Sequence, residues 1–430
     1  MSSRLIRIVL LLALLVGAGC LLLRGKEEQP LTVPAPPSYI PDLNATLENG
    51  MSEIPELRRL DHAIDSFMQF WSLHGTSLAI VRNDSLVYAK GYGMADERTP
   101  VTPGTCFRLA SVSKLLTAIG IMRLQQEGKL FLDTPVFGPY GILNEYDPWI
   151  RDENYYLITV EHLLRHQGGF TARGGDVMFS TLTFMRNHGL STPPSPTLLV
   201  QKQVARRLAF EPGTWQEYSN FGYLLLSLAI EKASGLSYED FMQQEVFGPA
   251  GCLGFRIGGN YLSDRLPGET RYYMQPDSEL VPSFDGRFAN VEKCYGGNDV
   301  TGLLGAGAWT GSAPELARLV SCIDGYGPME DILDPFSVMQ MTHYVDDDTY
   351  ALGWTDCNQL GEWTRTGSFS GTSAIVKVYP DGQCWILVSN TSAWRGARFT
   401  KDISALFRKL RARFGTRLPH RDLFQEAAAV

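Results

Sequence analysis

The distribution of strand-forming runs constrains the fold of this chain more than any other sequence feature. Two such runs lie near the start, at residues 76–82 and 85–91, with Asn83-Asp84 between them as a hairpin turn. Others return only near the end, at residues 350–357, 363–366, 373–379 and 384–389. The pattern predicts an α+β fold in which an antiparallel sheet is built from both chain ends, flanked by helices, with an inserted, mainly helical subdomain.

Helical periodicity supports the same architecture. Amphipathic patterns at residues 54–70 and 398–413 predict one helix beside each set of strands. Between the strand regions, helices are expected at residues 115–124, 161–166, 198–210, 221–233 and 313–322, and residues 254–299 are expected to be irregular. An active site would lie in the cleft between the sheet and the helical subdomain.

The N-terminus has the composition of a targeting or anchoring segment. Arg4 and Arg7 precede an apolar run at residues 8–23, and Cys20 follows Gly17-Ala18-Gly19. Residues 1–24 are therefore predicted to be either an uncleaved signal anchor or a lipoprotein signal with Cys20 lipidated, and both alternatives remain open. Residues 25–55 are expected to be a Pro-rich linker, residues 56–415 the main domain, and residues 416–430 a C-terminal tail. The domain would face the periplasmic or extracellular side of a membrane.

Charge and ligand-type residues exclude several functional classes. A net charge of -8 argues against nucleic acid as a partner. His162 and His166 are four residues apart, but no third ligand accompanies them, so neither a metal nor a cofactor is expected. Six cysteines follow Cys20, and a disulfide between Cys357 and Cys384 is predicted because both lie in neighbouring predicted strands; buried free thiols are the alternative.

The first candidate catalytic motif is Ser111-Val112-Ser113-Lys114, at the start of the helix predicted from residue 115. Residues three apart project from one helix face, so the Ser111 hydroxyl and the Lys114 amine would be neighbours. A serine hydroxyl becomes an effective nucleophile when a neighbouring base removes its proton. The helix N-terminus would add N–H donors where an oxyanion forms. An N-cap serine with an exposed lysine is the structural alternative.

Two further motifs follow in order. Tyr218 and Asn220 form a Y-x-N pattern before the helix at residues 221–233. The Tyr218 phenol, with its pKa lowered by nearby cations, could move protons, and the Asn220 amide could position substrate. Arg365-Thr366-Gly367-Ser368 lies on a predicted strand, where it would supply a cation, a hydroxyl, close backbone approach at Gly367 and the Ser368 N–H. A core tyrosine with an Asn cap, and an ordinary strand edge, are the structural alternatives.

Together, S-x-x-K, Y-x-N and a basic residue before T-G resemble the class C β-lactamase-like serine hydrolase family. That family includes β-lactamases, D-Ala-D-Ala carboxypeptidases, D-amino-acid peptidases and esterases, and the resemblance covers residues 60–414. It also includes the segment from Val160 to Gly169, which is similar to the family's helix ending in H-T-S-G. The resemblance implies Ser111 as nucleophile, with Lys114 and Tyr218 as proton-transfer partners. It further implies that Asn220, Arg365, Thr366, Gly367 and Ser368 bind substrate, with the backbone N–H groups of Ser111 and Ser368 forming the oxyanion hole.

One departure from the family pattern bears on mechanism. Arg365 stands where the family usually has Lys or His; it keeps the positive charge, which could hold a substrate carboxylate or lower the pKa of Tyr218, but it cannot relay a proton. The sequence predicts an exported, membrane-tethered serine hydrolase that cleaves an amide or ester through a Ser111 acyl-enzyme. Its substrate would be a D-amino-acid peptide, a small ester or a β-lactam. The alternative is a catalytically inactive family member that binds cell-wall peptide or a protein partner. An α/β-hydrolase is excluded because the chain has no G-x-S-x-G elbow.

Overall fold

A computed structural model of the protein describes residues 42–275, 280–346 and 348–429. In these ranges the α-helices are α1 (Leu43–Thr46), α2 (Arg58–Trp71), α3 (Ser113–Gln126), α4 (Val160–Leu164), α5 (Thr181–His188), α6 (Pro196–Val204), α7 (Asn220–Ser234), α8 (Tyr238–Met242), α9 (Gly248–Ala250), α10 (Ala313–Ser321), α11 (Pro335–Thr342), α12 (Phe399–Phe414) and α13 (Leu423–Ala428). The strands are β1 (Gly75–Arg82), β2 (Ser85–Gly93), β3 (Phe107–Arg108), β4 (Arg256–Ile257), β5 (Tyr273–Met274), β6 (Leu280–Val281), β7 (Val291–Glu292), β8 (Trp309–Gly311), β9 (Asp356–Cys357), β10 (Trp363–Phe369), β11 (Thr372–Val378), β12 (Gln383–Ser389) and β13 (Thr391–Ser392).

The central sheet has six antiparallel strands in the order β2-β1-β12-β11-β10-β9. The N-terminal hairpin joins the C-terminal meander through β1 and β12, with Thr76 opposite Ser389 and Arg82 opposite Gln383. Both chain ends therefore contribute to one sheet. The predicted α+β fold, with its antiparallel sheet made from both ends, is confirmed.

The hairpin between β1 and β2 turns at the predicted position. Asn83 and Asp84 have φ angles of 47° and 62°, which are the left-handed values that a two-residue type I′ turn requires. Asn and Asp tolerate this region better than other residues that carry a Cβ. The Asn83 N–H also donates to the carbonyl of Gly382 in the neighbouring turn, at 2.8 Å. The predicted turn is confirmed.

Side-chain alternation along the sheet separates two hydrophobic layers. On β1, Leu78 and Ile80 face the layer covered by α2 and α12, whereas Ala79 and Val81 face the layer that contains α3. Helix α3 is buried on almost every side, in contrast to the amphipathic α2. A helix that is apolar all round belongs in a core. The start of α3 is therefore held rigidly between the sheet and the helical subdomain.

One predicted strand is largely irregular in the structure. Residues 350–357 were expected to be extended, but only Asp356–Cys357 pairs as β9. Gly353 has a φ of +83°, and a Cβ built on it would lie 2.5 Å from the Cβ of Ala118 on α3. The chain turns at Gly353 so that Leu352 and Trp354 can pack in the core. Core packing against α3 therefore overrides the local strand propensity.

The predicted disulfide between Cys357 and Cys384 is wrong. Cys357 lies on β9 and Cys384 on β12, and strands β10 and β11 separate them. Three strand spacings amount to about 14 Å, which is too far for a disulfide. Both thiols are buried and free, as are those of Cys106, Cys252, Cys294 and Cys322. The alternative of buried free thiols is correct.

Two segments predicted as linker and tail fold against the domain. Residues 42–55 include α1, whose Leu43 is buried, and α13 inserts Leu423 and Phe424 into the core beside β2. Arg82 donates to the carbonyls of Leu418 and Pro419, which holds the chain ahead of α13 against the sheet. Residues 1–41, with the predicted anchor, the Cys20 alternative and most of the linker, lie outside the described residues. Within the described ranges, no helix has the length and apolarity to cross a bilayer.

Candidate active site

Ser111 lies in a 3₁₀ turn, Ala110–Val112, that leads directly into α3. The residue before it, Ala110, has a φ of 48°, a left-handed value that costs energy for a residue with a Cβ. This turn leaves Ser111 half-buried at the positive end of α3, where unpaired backbone N–H groups collect. The strained backbone at Ala110 therefore lies directly before the residue predicted to be the nucleophile.

Lys114 lies one turn further on and points at the same place. Its Nζ is 3.3 Å from the Oγ of Ser111, 2.6 Å from the Oδ1 of Asn220 and 2.6 Å from the carbonyl oxygen of Ala306. The side chain is completely buried. Asn220 Oδ1 and the Ala306 carbonyl can only accept hydrogen bonds, so both must receive an N–H from Lys114. The Ser111 hydroxyl is the third neighbour of the amine.

The charge state of Lys114 follows from its surroundings. Burial lowers the pKa of Lys114 well below the usual value, and the Arg365 guanidinium lowers it further, while the Asp176 carboxylate opposes them. A neutral amine has two N–H donors and one lone pair. With both donors engaged by Asn220 and Ala306, the lone pair is left for the Ser111 hydroxyl. Lys114 is therefore arranged as a base.

Tyr218 lies immediately before α7 and contacts Ser111 from the other side. Its hydroxyl is 2.6 Å from the Ser111 Oγ and donates to it. Burial raises the pKa of Tyr218 more than the Arg365 guanidinium and the Ser111 hydrogen bond lower it. The expectation of a lowered pKa is wrong as a net result: the Arg365 guanidinium does lower the pKa of Tyr218, but desolvation outweighs it. Tyr218 is thus a neutral phenol that can donate a proton, not a phenolate base.

Asn220 is the first residue of α7 and is buried. Its Oδ1 faces Lys114, and its Nδ2 donates to the Oδ2 of Asp176 at 2.6 Å. Asp176 also caps a 3₁₀ turn by accepting the Met178 N–H at 2.9 Å. The carboxylate therefore fixes which way the Asn220 amide points. Sequence reasoning found Asn220 but missed Asp176, since a Gly-Gly-Asp loop resembles an ordinary turn.

Arg365 lies on β10, beneath Ser111. It is 1% exposed, and its Nε donates to the backbone carbonyl oxygen of Ser111 at 2.7 Å. This position differs from the expectation of a cation that holds a substrate carboxylate, because the guanidinium is enclosed. The guanidinium instead lowers the pKa of Lys114 and opposes the burial that raises the pKa of Tyr218.

The strand that carries Arg365 approaches Ser111 most closely at Gly367. A Cβ built on Gly367 would lie 2.3 Å from the carbonyl oxygen of Leu109 and 3.1 Å from the backbone N of Ser111. The Thr366 N–H donates to Thr355 on the edge of β10 that faces away from β11, at 3.3 Å. In an antiparallel pair, alternate residues direct N–H to the same edge, so the Ser368 N–H shares it. The approach of Gly367 brings this strand next to the backbone N of Ser111, as an oxyanion hole formed by the N–H groups of Ser111 and Ser368 would require.

His166 is a further residue of the site that motif reasoning did not assign a role. It is 2% exposed, and its ring lies 4.5 Å from the ring of Tyr218 and 4.7 Å from that of Tyr350. Its Nδ1 accepts the Ser219 N–H at 3.2 Å. Burial lowers the pKa of His166 well below its usual value and the Arg365 guanidinium lowers it further, so the ring is neutral. His166 supports the face of Tyr218 and does not contact Ser111. The sequence signal that could have assigned His166 to the site was its position in the segment from Val160 to Gly169, which is similar to the family's helix ending in H-T-S-G.

Comparisons with known proteins agree with this geometry. The family model described as Beta-lactamase matches residues 60–406. Penicillin-binding protein 4* of Bacillus subtilis (strain 168) is 33% identical over 191 residues, covering 44% of this chain and 39% of that protein. Esterase EstB of Burkholderia gladioli is 30% identical over 182 residues, covering 41% of this chain and 45% of that protein. The matched region therefore spans less than half the length of either relative.

A solved structure shows the same fold. The D-amino acid amidase from Ochrobactrum anthropi SV3 has a TM-score of 0.61 at 19% identity, with 82% of this chain and 99% of that chain covered. At this identity the likeness establishes the fold alone. The family match covers most of the chain, and the two relatives are named a penicillin-binding protein and an esterase.

Proposed function

Since this chain belongs to the Beta-lactamase family, we propose that it is an exported, membrane-tethered hydrolase that cleaves an amide or ester through a Ser111 acyl-enzyme. One observation carries the proposal. The Lys114 amine has its two N–H donors engaged by Asn220 and Ala306, and its remaining neighbour is the Ser111 hydroxyl. Burial and the Arg365 guanidinium lower the pKa of Lys114, which favours the neutral, basic form of the amine, and this amine is aimed at a serine.

The acylation step uses three side chains. As the Ser111 Oγ attacks the substrate carbonyl carbon, its proton passes to the neutral Lys114. The carbonyl oxygen takes up the electron pair and faces the N–H groups of Ser111 and Ser368. The tetrahedral intermediate collapses by breaking the bond to the amine or alcohol, which receives a proton from Tyr218. Tyr218 is restored by the proton on Lys114, so the acyl-enzyme starts with a neutral amine.

Deacylation reverses these roles. A water molecule attacks the acyl carbonyl carbon while the neutral Lys114 amine takes its proton, and the same N–H groups hold the oxyanion. The bond to the Ser111 Oγ breaks, the Oγ takes a proton from Tyr218, and Tyr218 regains one from the protonated Lys114. Arg365 has no part in proton transfer because guanidinium keeps its proton. Its contribution is to favour the neutral form of Lys114.

The proposed substrate is a D-amino-acid peptide or amide, with a small ester or a β-lactam as the other members of the same reaction class. The names of the relatives support this range, since they include a penicillin-binding protein, an esterase and a D-amino acid amidase. The proposed membrane attachment depends on the sequence of residues 1–24, in which basic residues precede an apolar run.

Covalent labelling tests the proposed function. The chain from residue 42 onward and its Ser111→Ala variant would each be treated with a fluorophosphonate and with a labelled penicillin, and attachment read by intact mass. We expect the fluorophosphonate to add once to the wild type and not to Ser111→Ala. Penicillin attachment would place the enzyme among penicillin-binding proteins, and its absence with rapid ester hydrolysis would favour an esterase. A folded wild-type protein that neither probe labels would support the alternative of an inactive binding protein.

A further inference from the structure

A pocket lies beside the catalytic residues and has a charge opposite to that of the whole protein. The loop at residues 169–177 and the segment at residues 203–209 form its two walls, and Tyr218 and Asn220 close its inner end. Its volume is about 210 Å³. Tyr218 bonds to Ser111 and Asn220 bonds to Lys114, so the inner end of the pocket is one side chain away from the proposed nucleophile.

Three arginines line the pocket. Arg206 and Arg207 follow the end of α6, and Arg173 lies on the opposite loop; all three are exposed to solvent. Among the described residues, none of the three forms an ion pair. Asp176 is the acidic residue in the lining, so the formal charge of the walls is positive in a protein whose net charge is -8.

The carboxylates near the pocket are engaged elsewhere. Asp176 accepts from Asn220 and Met178. Glu217 accepts from the Thr171 hydroxyl at 2.7 Å and from the Ala172 N–H at 2.9 Å. Asp152, behind the Arg206 segment, accepts the N–H of Asn154 and of Leu208. Neutral donors thus hold these carboxylates in place, and the guanidinium groups face the pocket without acidic partners.

From this arrangement we propose that the pocket is a substrate subsite for an anionic group, a carboxylate or a phosphate, located several bonds from the scissile carbonyl. The inference rests on the proposed function, since it names the chemistry of the substrate that Ser111 attacks. Guanidinium is the side chain best suited to such oxyanions, because its N–H groups form paired, charge-assisted hydrogen bonds. The preference for an anionic group would come from Arg173, Arg206 and Arg207. Arg365 does not contribute to it, because its guanidinium is enclosed beneath Ser111.

A matched pair of probes tests the subsite independently of turnover. One fluorophosphonate carries a short tail that ends in a carboxylate, and the other carries the methyl ester of the same tail. The second-order rate constant for modification of Ser111 would be measured by intact mass for each probe. In the wild type at low salt we expect the carboxylate probe to react about tenfold faster than the ester. This ratio should fall as salt is added, because the guanidinium groups are exposed.

Variants assign the effect to the pocket. Arg206→Gln combined with Arg207→Gln should bring the ratio close to one by slowing the carboxylate probe. Arg186→Gln combined with Lys202→Gln is the matched control, since both residues are exposed cations outside the pocket lining, and it should keep the wild-type ratio. Equal rates for the two probes in the wild type, or a ratio that survives the Arg206 and Arg207 changes, would overturn the subsite. Failure of both probes to modify Ser111 in folded protein would instead overturn the proposed function.

Discussion

Lys114 and its two charged neighbours determine the chemistry of the site at the scale of single residues. Burial favours the neutral amine, Arg365 favours it further, and Asp176 opposes both. Neither charged residue contacts the Ser111 Oγ. They act on the nucleophile through the protonation of Lys114, so replacing them should shift pH profiles in opposite directions.

Replacing Arg365 with Gln is expected to move the acid limb of kcat/KM to higher pH. Loss of the positive neighbour raises the pKa of Lys114, so more of the amine is protonated at a given pH and less base is available. The kcat/KM at neutral pH should fall about tenfold. Arg365→Lys keeps a charge at the position and should retain more of the wild-type profile. An acid limb that stays in place in Arg365→Gln would contradict this role.

Replacing Asp176 with Asn should shift the same limb to lower pH. The Asp176 carboxylate raises the pKa of Lys114, so its neutralisation lowers that pKa. The maximal kcat/KM should also fall, by about tenfold, because an amide at position 176 has one acceptor oxygen where the carboxylate has two and cannot accept from both Asn220 and the Met178 N–H. Asp176→Glu is the control that keeps the charge. A fall in activity with no movement of the limb would indicate a purely structural role for Asp176.

At the scale of elements, the site depends on how closely β10 approaches the turn before α3. Gly367 permits this approach, because a side chain there would enter the space of the Leu109 carbonyl and the Ser111 N–H. The geometry of the proposed oxyanion hole would therefore be set by two elements that are far apart in sequence.

Gly367→Ala should lower kcat/KM by about a hundredfold, since the added methyl group displaces β10 from Ser111. The matched control is Gly50→Ala, where a Cβ would meet no atom within 4 Å. The two variants would be compared by steady-state kinetics and by thermal unfolding. Near wild-type activity in Gly367→Ala would mean that the strand edge does not form part of the oxyanion hole.

Helix α13 belongs to the folded domain by its packing. Phe424 is 3% exposed and the Arg318 guanidinium lies over its ring, 5.4 Å from the centroid. Phe424→Ala should lower the free energy of unfolding by about 3 kcal/mol, the usual cost of deleting a buried aromatic side chain. Gln425→Ala, at the exposed neighbouring position, should change it little. Denaturant titration of both variants gives the comparison, and equal stability would show that α13 is dispensable.

At the scale of the whole molecule, sequence patterns predicted the features that depend on residues close together in the chain. The type I′ hairpin at Asn83-Asp84, the helix after Ser111 and the pairing of both chain ends were foreseeable, since each depends on residue spacing or turn preference. The raised pKa of Tyr218 could not be foreseen, because it depends on how deeply the phenol is buried by His166 and other residues distant in sequence. The separation of Cys357 from Cys384 was likewise set by strand order, which sequence spacing does not give.

Asp176 and the cationic pocket illustrate the same limit. Each depends on a loop of unremarkable composition that folds against segments distant in sequence. Whether a carboxylate pairs with an arginine or with a neutral donor is decided only by that packing. The motif residues themselves, Ser111, Lys114, Tyr218, Asn220 and the β10 segment, are brought together around one point by the structure.

In the proposed mechanism a neutral Lys114 activates Ser111, and the pH dependence of Ser111 labelling tests this role. The rate of fluorophosphonate attachment would be measured by intact mass across pH for the wild type and for Lys114→Met. We predict a wild-type rate that rises with pH to a plateau, with its midpoint well below the ordinary lysine pKa of about 10.4. Lys114→Met should be slow and show no such midpoint. A wild-type midpoint near that of an ordinary lysine, or equal rates in the two proteins, would contradict the account.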